Sequence, residues 1–301
     1  MSNAASIETA LEHLRRGAVI AMPTETVYGL AGDALNPLAI RQIYALKGRP
    51  AGHPVIVHLA PDADPSRWGT ISPAAQSMID AFWPGPLTLI VPRHSRVPDE
   101  VTGGRSTVGI RMPSHPTAQA ILTAFGSGLA APSANRFGRI SPTCAAHVKA
   151  EFADEVYIVD GGPCAIGVES TIVDTTGSRP AILRSGYVLE SAITDLVGPL
   201  GTSTTVAPGS LKSHYAPMTS LRVSAEPDAE ARRLEEEGLT VAVYKAPSPD
   251  EHAKQLYAEL RRLDSLGVDV LVAEPAEDTG IGIAINDRLS RAAHRFSTTD
   301  N

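Results

Sequence analysis

The chain has little cysteine, no excess of positive charge and no long hydrophobic run, and each shortage excludes a class of protein. Only Cys144 and Cys164 occur among 301 residues, which excludes a scaffold of several disulfides or a four-cysteine zinc site and fits a reducing compartment. The formal net charge of −7 argues against a protein that coats nucleic acid through bulk charge. No apolar run approaches the ~20 residues of a membrane span, and residues 1–17 lack the apolar core of a signal peptide. We therefore expect a cytoplasmic protein without membrane contact and without strong direct binding to nucleic acid.

The common motifs for nucleotide binding and catalysis are also missing. The chain contains no G-x-x-x-x-G-K-[ST], G-x-G-x-x-G, H-E-x-x-H or G-x-S-x-G pattern. Its nine histidines show no pair at metal-ligand spacing, so no zinc site is predicted. We also find no Ser–His–Asp or Cys–His arrangement that would supply a covalent nucleophile.

Strand-like and helix-like segments alternate along the first two thirds of the chain. Short apolar runs predict strands at 18–24, 54–59, 87–91, 107–112, 128–134, 155–160, 170–174 and 180–185. Helices are predicted at 7–16, 37–47, 73–82, 116–125 and 143–152. Many strands are short and interrupted by Gly and Pro. We therefore predict an α/β (α+β) fold with helices against one sheet, and not a regular parallel Rossmann sheet.

A change of composition divides the chain into two units, as its length of 301 residues also suggests. Residues 198–220 are rich in Gly, Ser, Thr and Pro without periodicity, which is typical of a linker. This linker also holds Lys212, His214 and Tyr215, which a spacer does not need. Residues 221–301 follow as a small α/β unit, and residues 1–197 precede as the larger one. The predicted elements of the smaller unit, residues 221–301, are strands 239–245 and 268–274 and helices 250–267 and 281–296.

The acidity belongs mainly to the smaller unit. Residues 221–301 hold 10 Lys+Arg and 16 Asp+Glu, a balance of −6, whereas residues 1–220 hold 16 and 17, a balance of −1. A compact anion site in the larger unit is compatible with this near neutrality, because such a site needs only a few cations.

Polar and cationic residues recur at the ends of the predicted strands, and each has an ordinary structural explanation. Thr24 can cap a helix N-terminus, and Lys47 and Arg49 suit the dipole at a helix C-terminus. Arg111 lies inside an apolar run, where arginine is rarely buried without a carboxylate or an anionic ligand. Taken together, cations beside Ser/Thr-rich turns predict a polyanion site, most naturally for a triphosphate. The cations are Lys47, Arg49, Arg111, Arg136, Arg139 and Arg184.

Nine short motifs follow one another along the chain. They are P-T-E-T-V-Y-G-L at 23–30, K-G-R at 47–49, P-V-I-V-H at 54–58, F-W-P-G-P-L-T-L-I at 82–90, V-G-I-R-M-P at 108–113, P-S-A-N at 132–135, G-V-E-S-T-I-V-D at 167–174, I-L-R-S-G at 182–186 and H-Y-A-P at 214–217. In this order, the motifs resemble those of the YrdC-domain family, in its two-domain form of L-threonylcarbamoyladenylate synthases. The likeness resumes in V-D-V-L-V-A-E-P at 268–275 and G-I-G-I-A-I-N-D-R-L-S-R-A-A at 280–293.

The resemblance implies a fold and a reaction. The implied fold is a twisted mixed sheet with helices around a large cleft, followed by a small Rossmann-like α/β domain. The implied enzyme is a nucleotidyltransferase that converts L-threonine, bicarbonate or CO2 and ATP into threonylcarbamoyl-AMP and pyrophosphate, with Mg²⁺ accompanying the ATP. The product is then implied to pass to the tRNA threonylcarbamoyl-transfer machinery, which makes threonylcarbamoyl-adenosine (t6A) at position 37 of ANN-decoding tRNAs.

The resemblance also implies site residues, motif by motif. Those for L-threonine are Thr26, His58, Arg111, Ala131 and Ser170. Those for ATP are Lys47, Arg49, His53, Thr107, Ser133, Asn135, Ser141, Arg184 and Tyr215. The Lys-x-Arg and Ser-x-Asn signature of Lys47, Arg49, Ser133 and Asn135 is implied to be catalytic. No protein ligand of Mg²⁺ is assigned. An in-line phosphate displacement needs positioning and charge neutralisation rather than a nucleophile. His58 is a candidate general base, and Tyr215 is expected to act from a lid.

Two other functions stay open at this point. A related carbamoyl-transfer enzyme would carry this domain fused to kinase-like or zinc-finger domains, which the sequence does not show. A non-catalytic RNA-binding module is disfavoured by the acidic balance and by the retained P-S-A-N and K-G-R motifs.

Overall fold

The computed structural model describes residues 3–50, 52–207 and 214–294. Lys212 of the linker therefore lies outside the described residues. Within them, no helix is long and apolar enough to cross a membrane. The helices of the larger unit are α1 Asn3–Arg15, α2 Pro37–Lys47, α3 Pro73–Phe82, α4 Asp99–Thr102, α5 Pro116–Phe125, α6 Ala145–Phe152 and α7 Glu190–Val197. Its strands are β1 Ile20–Met22, β2 Gly29–Asp33, β3 Ile56–His58, β4 Leu87–Pro92, β5 Thr107–Arg111, β6 Leu129–Ala130, β7 Tyr157–Ile158, β8 Thr171–Asp174 and β9 Ala181–Arg184.

These nine strands form one mixed sheet in the order β7-β1-β2-β6-β3-β5-β4-β8-β9. The pairs β1/β7, β3/β5 and β4/β8 are parallel and the other neighbours are antiparallel. The prediction of a mixed α/β fold with a mixed sheet is confirmed. In register, Arg111 lies opposite His58 on one side and opposite Thr88 on the other. The pairing therefore brings predicted threonine-binding residues of separate motifs onto neighbouring strands.

Helix α2 begins and ends where local chemistry dictates. The Asn36 side chain accepts from the Leu38 amide, Pro37 takes the first turn, and Gly48 ends the helix in the left-handed region at φ 62°. The helix buries Ile40 and Ile43 against β2, where a side chain at Gly32 would contact Ile43 at 3.3 Å.

The alternative that Thr24 caps a helix is wrong. The Thr24 hydroxyl donates to the carbonyl of Val27 at 2.6 Å and accepts from the amides of Thr26 and Val27. The chain therefore makes a turn here, and strand β2 follows it instead of a helix.

The C-terminal unit is a three-stranded parallel sheet with helices. Its elements are β10 Ser220–Val223, α8 Pro227–Glu236, β11 Val241–Tyr244, α9 Pro249–Asp264, β12 Val270–Ala273 and α10 Gly282–His294. The strand order is β10-β12-β11, with both pairs parallel. Strand β10 begins at Ser220, the last residue of the predicted linker.

An apolar cluster joins the two units. Val27, Ile140 and Val168 of the larger unit are buried among apolar residues of α9 and α10. Gly167 lies in the loop that reaches α9 and has φ +83°, and a Cβ there would lie 2.3 Å from the carbonyl oxygen of Lys254. Only glycine permits this close approach, so the local sequence of the loop determines how tightly the units pack.

Candidate active site

A cleft opens at the ends of the central strands and is bounded by His214 and Tyr215 of the predicted linker. It contains about 580 Å³ of space, including its open mouth. Nine predicted site residues line it, namely Thr26, Arg49, His58, Arg111, Ala131, Ser133, Ser170, Arg184 and Tyr215.

Arg111 is held from behind by the protein itself. Its Nη2 donates to Glu25 Oε1 at 2.6 Å, Nη1 donates to Thr26 Oγ1 at 2.9 Å, and Nε donates to the carbonyl of Gly85 at 3.2 Å. Burial raises the pKa of Glu25, but the charge and hydrogen bond of Arg111 outweigh that effect and leave it lowered. Glu25, which was not among the predicted site residues, is thus one carboxylate that explains an arginine in an apolar run. That Arg111 also pairs with the carboxylate of threonine stays a prediction.

His58 is buried on β3 with its Nδ1 lacking a hydrogen-bond partner among the described residues. Burial, reinforced by the charge of Arg111, lowers its pKa to about 3. The imidazole is therefore neutral near pH 7 and a weak proton acceptor. This environment opposes the general-base role considered for His58 and suits a hydrogen-bonding role.

Arg184 ties the end of β9 to the start of β8. Its Nη2 donates to the Ser170 carbonyl at 2.8 Å and to Ser170 Oγ at 3.1 Å. Ser170 Oγ in turn lies 2.8 Å from Thr88 Oγ1. Burial lowers the pKa of Arg184. The guanidinium nevertheless stays charged at neutral pH, because free arginine titrates so far above it.

Lys47 supports the P-S-A-N loop rather than lining the cleft. Its Nζ donates to the carbonyl of Ser133 at 2.5 Å and to that of Asn135 at 2.7 Å. The Asn135 side chain also serves its own loop, since Nδ2 donates to the carbonyls of Arg136 and Arg139. Lys47 and Asn135 thus hold Ser133 at the cleft wall.

Arg49 does line the cleft. Its Nη2 donates to the carbonyl of Pro54 at 2.8 Å, and its Nε is buried without a partner among the described residues. Burial lowers the pKa of Arg49 to about 10, which leaves it protonated at neutral pH.

The expected convergence of six cations on one site is wrong in part. Arg49, Arg111 and Arg184 line the cleft, but Lys47 does not. Arg136 pairs with Glu155 on the surface, and Arg139 lines a separate groove beside α9. Arg136 and Arg139 thus make their contacts away from the cleft lining, and Lys47 bonds to the backbone of the P-S-A-N loop.

Three further predicted ATP-binding residues, His53, Thr107 and Ser141, lie outside the cleft lining in the described structure. His53 packs against Phe137 with ring centroids 5.8 Å apart, and Thr107 begins β5 opposite Pro92. Ser141 Oγ donates to Glu169 Oε1 at 2.7 Å. Their contacts with ATP stay predictions.

Tyr215 is the part of the linker that closes the cleft. The residue is buried and adopts φ 62°, a left-handed conformation that is rare outside glycine. Its ring stacks on Tyr257 at 5.6 Å, lies edge to face with His214 at 4.2 Å, and faces the Arg288 guanidinium at 5.3 Å. Its hydroxyl is buried with no partner among the described residues. Packing on three sides therefore holds a strained residue in place.

Glu169 connects the cleft to the C-terminal unit. Its Oε2 accepts from Tyr257 Oη at 2.7 Å and from Arg288 Nε at 3.0 Å, while Ser141 occupies its other oxygen. Burial raises the pKa of Glu169, but the charges of Arg288 and Arg184 and the hydrogen bonds outweigh it and lower the pKa to about 2.

The sequence reasoning missed Tyr257 and Arg288, although one signal for Arg288 was present. Arg288 lies on the buried stripe of α10 with Ile285, Leu289 and Ala292. An arginine among apolar residues is the same anomaly that singled out Arg111.

The cleft is marked by buried polar atoms without partners. Among the described residues these include Arg49 Nε, His58 Nδ1, His214 Nδ1 and Tyr215 Oη, and all four residues line the cleft. Such atoms are rare in native proteins, and each costs about 1–3 kcal/mol. Their concentration beside three guanidinium groups indicates a site for a polar, anionic ligand.

The comparisons with known proteins agree with this architecture. Residues 12–186 match the Sua5/YciO/YrdC family, described as Telomere recombination, and residues 186–294 match the family described as Threonylcarbamoyl-AMP synthase, C-terminal domain. The threonylcarbamoyl-AMP synthase of Pyrococcus abyssi is 37% identical over 95% of this chain and 94% of its own. That of Bacillus subtilis is 38% identical over 97% of this chain and 94% of its own.

The similarity extends to the three-dimensional structure of a relative. The structure of P. abyssi Sua5 complexed with L-threonine is 37% identical, has a TM-score of 0.89, and covers 96% of this chain and 94% of that one. The two matched domains, the near-complete coverage and the shared fold show that the chain belongs to the Sua5/YciO/YrdC family, in its two-domain Sua5 form.

Proposed function

We propose that this protein is a threonylcarbamoyl-AMP synthase, an enzyme that makes an AMP-linked intermediate. In detail it is a nucleotidyltransferase that joins L-threonine, bicarbonate or CO2 and the AMP part of ATP, and releases pyrophosphate. The observation that carries the proposal is the cleft where Arg49, Arg111 and Arg184 surround buried, unpartnered hydrogen-bonding atoms. The names of relatives that align over nearly the whole chain support the same reaction.

The threonine end of the cleft is the part around Arg111. Its guanidinium, held in place by Glu25 and Thr26, faces the cleft and suits a carboxylate by charge and by geometry. The neutral imidazole of His58 and the hydroxyl of Ser170 provide hydrogen-bonding groups beside it.

The reaction proceeds in two steps. The neutral amine of threonine attacks the carbon of CO2, one C=O bond opens to a carboxylate, and the nitrogen gives up a proton to water, which gives a carbamate. A carbamate oxygen then attacks the α-phosphorus of ATP, and the bond from that phosphorus to the bridging oxygen breaks, so that pyrophosphate leaves with the electron pair. Arg49 and Arg184 neutralise the charge of the phosphates during this in-line displacement, and Ser133 and Tyr215 orient the nucleotide.

Mg²⁺ would arrive with ATP, and the side chains near the cleft determine whether the protein itself could hold the ion. Among the described residues, no group of three or more His, Cys, Asp or Glu is arranged to hold a metal. Glu169, the carboxylate in the cleft lining, already accepts from Ser141, Tyr257 and Arg288. The cleft therefore offers Mg²⁺ no protein cage, which suits an ion carried by phosphate oxygens and water.

The product is a mixed anhydride that would supply threonylcarbamoyl groups for t6A at position 37 of ANN-decoding tRNAs. A separate transfer machinery would consume it. This chain holds the anhydride in a buried cleft, which would limit its hydrolysis before transfer.

Pyrophosphate release tests the proposal. The assay compares L-threonine, L-serine and no amino acid, each with ATP and bicarbonate. We expect release that depends on threonine and bicarbonate, and a loss of release in Lys47→Ala, Arg49→Ala and Asn135→Ala.

The matched control is Arg41→Ala, which removes an exposed arginine of α2 that pairs with Glu100 and is not in the cleft lining. It should keep wild-type activity. Full activity in all three site variants would contradict the site assignment, and release that needs carbamoyl phosphate instead of threonine would favour a carbamoyl-transfer enzyme.

A further inference from the structure

Arg288 is the most deeply buried charged group that the C-terminal unit contributes to the neighbourhood of the cleft. It is 1% exposed, whereas Arg233 in the same unit lies on the surface. Its Nε donates to Glu169, and its Nη2 donates to the carbonyl of Ser185 at 2.9 Å. Both acceptors belong to the larger unit, so this one side chain bridges the two units.

Arg288 also faces residues 214–216, the segment around Tyr215 that is called the lid below. Its guanidinium carbon lies 5.3 Å from the centre of the Tyr215 ring, within the range of a cation–π contact. The segment of Tyr215 is fixed on both sides by its backbone, because the His214 amide donates to the carbonyl of Arg291 and the Ala216 amide donates to that of Gly138. The lid therefore spans α10 and the P-S-A-N loop, with Arg288 beneath its aromatic ring.

The partners of Arg288 belong to one half of the cleft. Tyr215 lies over it, and Glu169 bonds to Ser141 and lies close enough to Arg184 for that charge to lower the pKa of Glu169. Tyr215, Ser141 and Arg184 were all predicted to bind ATP. The groups that hold Arg111, which are Glu25, Thr26 and the Gly85 carbonyl, form another set, and the bonds described for them do not reach Arg288. The two sets meet at Ser170, a predicted threonine-binding residue that accepts from Arg184.

We infer that Arg288 is a positioning residue for the nucleotide half of the cleft, through which the C-terminal unit sets the affinity for ATP more strongly than that for threonine. This inference rests on the proposed function. Arg288 fixes the Glu169 carboxylate and the Tyr215 ring, and these in turn fix Ser141 and the mouth of the nucleotide site.

The test measures the two substrates separately in Arg288→Gln. We expect the KM and the Kd for ATP to rise about tenfold, the effect of losing one charge-assisted hydrogen bond. The Kd for threonine should change by no more than about twofold, since Arg111, Glu25 and Thr26 lie outside the network. Of the predicted threonine-binding residues that the structure describes, only Ser170 contacts it, through Arg184. Arg288→Lys keeps the charge beside Glu169 but lacks the planar face over Tyr215, and it should restore part of the ATP affinity.

Two further variants keep the result interpretable. Arg233→Gln removes a surface arginine from the same unit and should change neither constant. Tyr257→Phe removes one hydrogen bond to Glu169 while keeping the stacked ring, and so should give a smaller rise in the ATP constant if Arg288→Gln fails to fold. Equal rises for ATP and threonine in these variants would mean a purely structural role and would overturn the inference.

Hydrogen exchange separates this inference from the proposed function. Without any ligand, the amides of His214 and Ala216 should exchange faster in Arg288→Gln than in the wild type. If exchange is unchanged, the inference fails whatever the activity. If exchange is faster but the wild type releases no pyrophosphate, the proposed function fails and the positioning of the lid by Arg288 stands.

Discussion

The pair of Arg111 and Glu25 is a buried ion pair, with 5% and 7% of the two side chains exposed. We expect Glu25→Gln to raise the KM for threonine about tenfold and to leave that for ATP nearly unchanged, because the guanidinium loses the charged partner that orients it. Removing one charge of a buried pair costs about 3–5 kcal/mol, and the amide keeps one acceptor, so stability should fall toward the lower end of that range. Substrate titrations and urea unfolding measure the two effects.

The matched control for Glu25 is Glu100→Gln, which breaks the more exposed pair with Arg41. An exposed pair contributes about 0–1 kcal/mol, so neither stability nor threonine binding should change much. An unchanged KM for threonine in Glu25→Gln would contradict the orienting role of that carboxylate.

The low pKa of His58 leads to a prediction about how the reaction rate depends on pH. Because burial holds its pKa at about 3, it does not titrate near neutrality. We expect His58→Gln to lower kcat/KM for threonine without changing the shape of the rate profile between about pH 6 and pH 8. If the wild type showed an inflection near pH 6.5 that disappeared in this variant, His58 would be a base after all.

At the scale of elements, helix α2 and the P-S-A-N loop are coupled through Lys47. We expect Lys47→Met to lower the free energy of unfolding by about 1–3 kcal/mol, because the carbonyls of Ser133 and Asn135 lose their buried donor. The KM for ATP should rise with it as Ser133 moves. Thermal melts and ATP titrations check both, and lost activity with unchanged stability would show that Lys47 acts on phosphate directly.

Elements with a strong local pattern could be predicted from the sequence. Helix α2 coincides with the predicted 37–47, because Pro, an Asn cap and Gly mark its ends. Strand β2 was missed since its sequence, G-L-A-G-D, has the glycines of a turn, and its strand form depends on pairing with β1 and β6. Helix α8 was missed because it is rich in charge and buries little beyond Ala231 and Leu234. The secondary structure of such segments is decided by tertiary contacts, which a local sequence pattern does not contain.

The candidate site was predictable where a motif places a side chain at a strand end, as for His58 and Arg111. The motif did not distinguish residues that face the cleft from those that hold it. Lys47 reaches from α2 to the P-S-A-N loop, Asn135 bonds within that loop, and Glu25 lies behind Arg111. Tyr257 and Arg288 approach Glu169 from more than 80 residues away along the chain, a proximity that only the packing of the two units creates.

At the scale of the whole molecule, buried histidines make stability depend on pH. Burial lowers the pKa of His58 and His214 to about 3 and that of His252 to about 4, below the ordinary value of 6.5. The folded chain keeps them neutral while the unfolded chain protonates them. The stability is thus fully present above pH 6.5 and is lost as the pH falls toward 3, by up to about 1.4 kcal/mol per pH unit for each histidine.

Glu169 adds a second pH range, below that of the histidines, in which stability is lost. Its lowered pKa of about 2 contributes stability that is present above its ordinary value of 4.5 and is lost as the pH falls toward 2. We expect urea unfolding to show a decline between about pH 6.5 and pH 4 that is shallower in His252→Leu, and a further loss in more acid solution. Equal stability at pH 5 and pH 7 would contradict the histidine contribution.

The hydrogen bonds of Glu169 across the two units also limit which C-terminal units can be exchanged between related proteins, in evolution or by engineering. A carboxylate that accepts from Ser141 in one unit and from Tyr257 and Arg288 in the other makes the two units poor candidates for exchange between relatives. A graft of another C-terminal unit that lacks this arginine would leave Glu169 as a buried charge without its counterion. Recombination at the linker is therefore constrained by a few side chains, and successful hybrids should carry the tyrosine and the arginine along with the acidic partner.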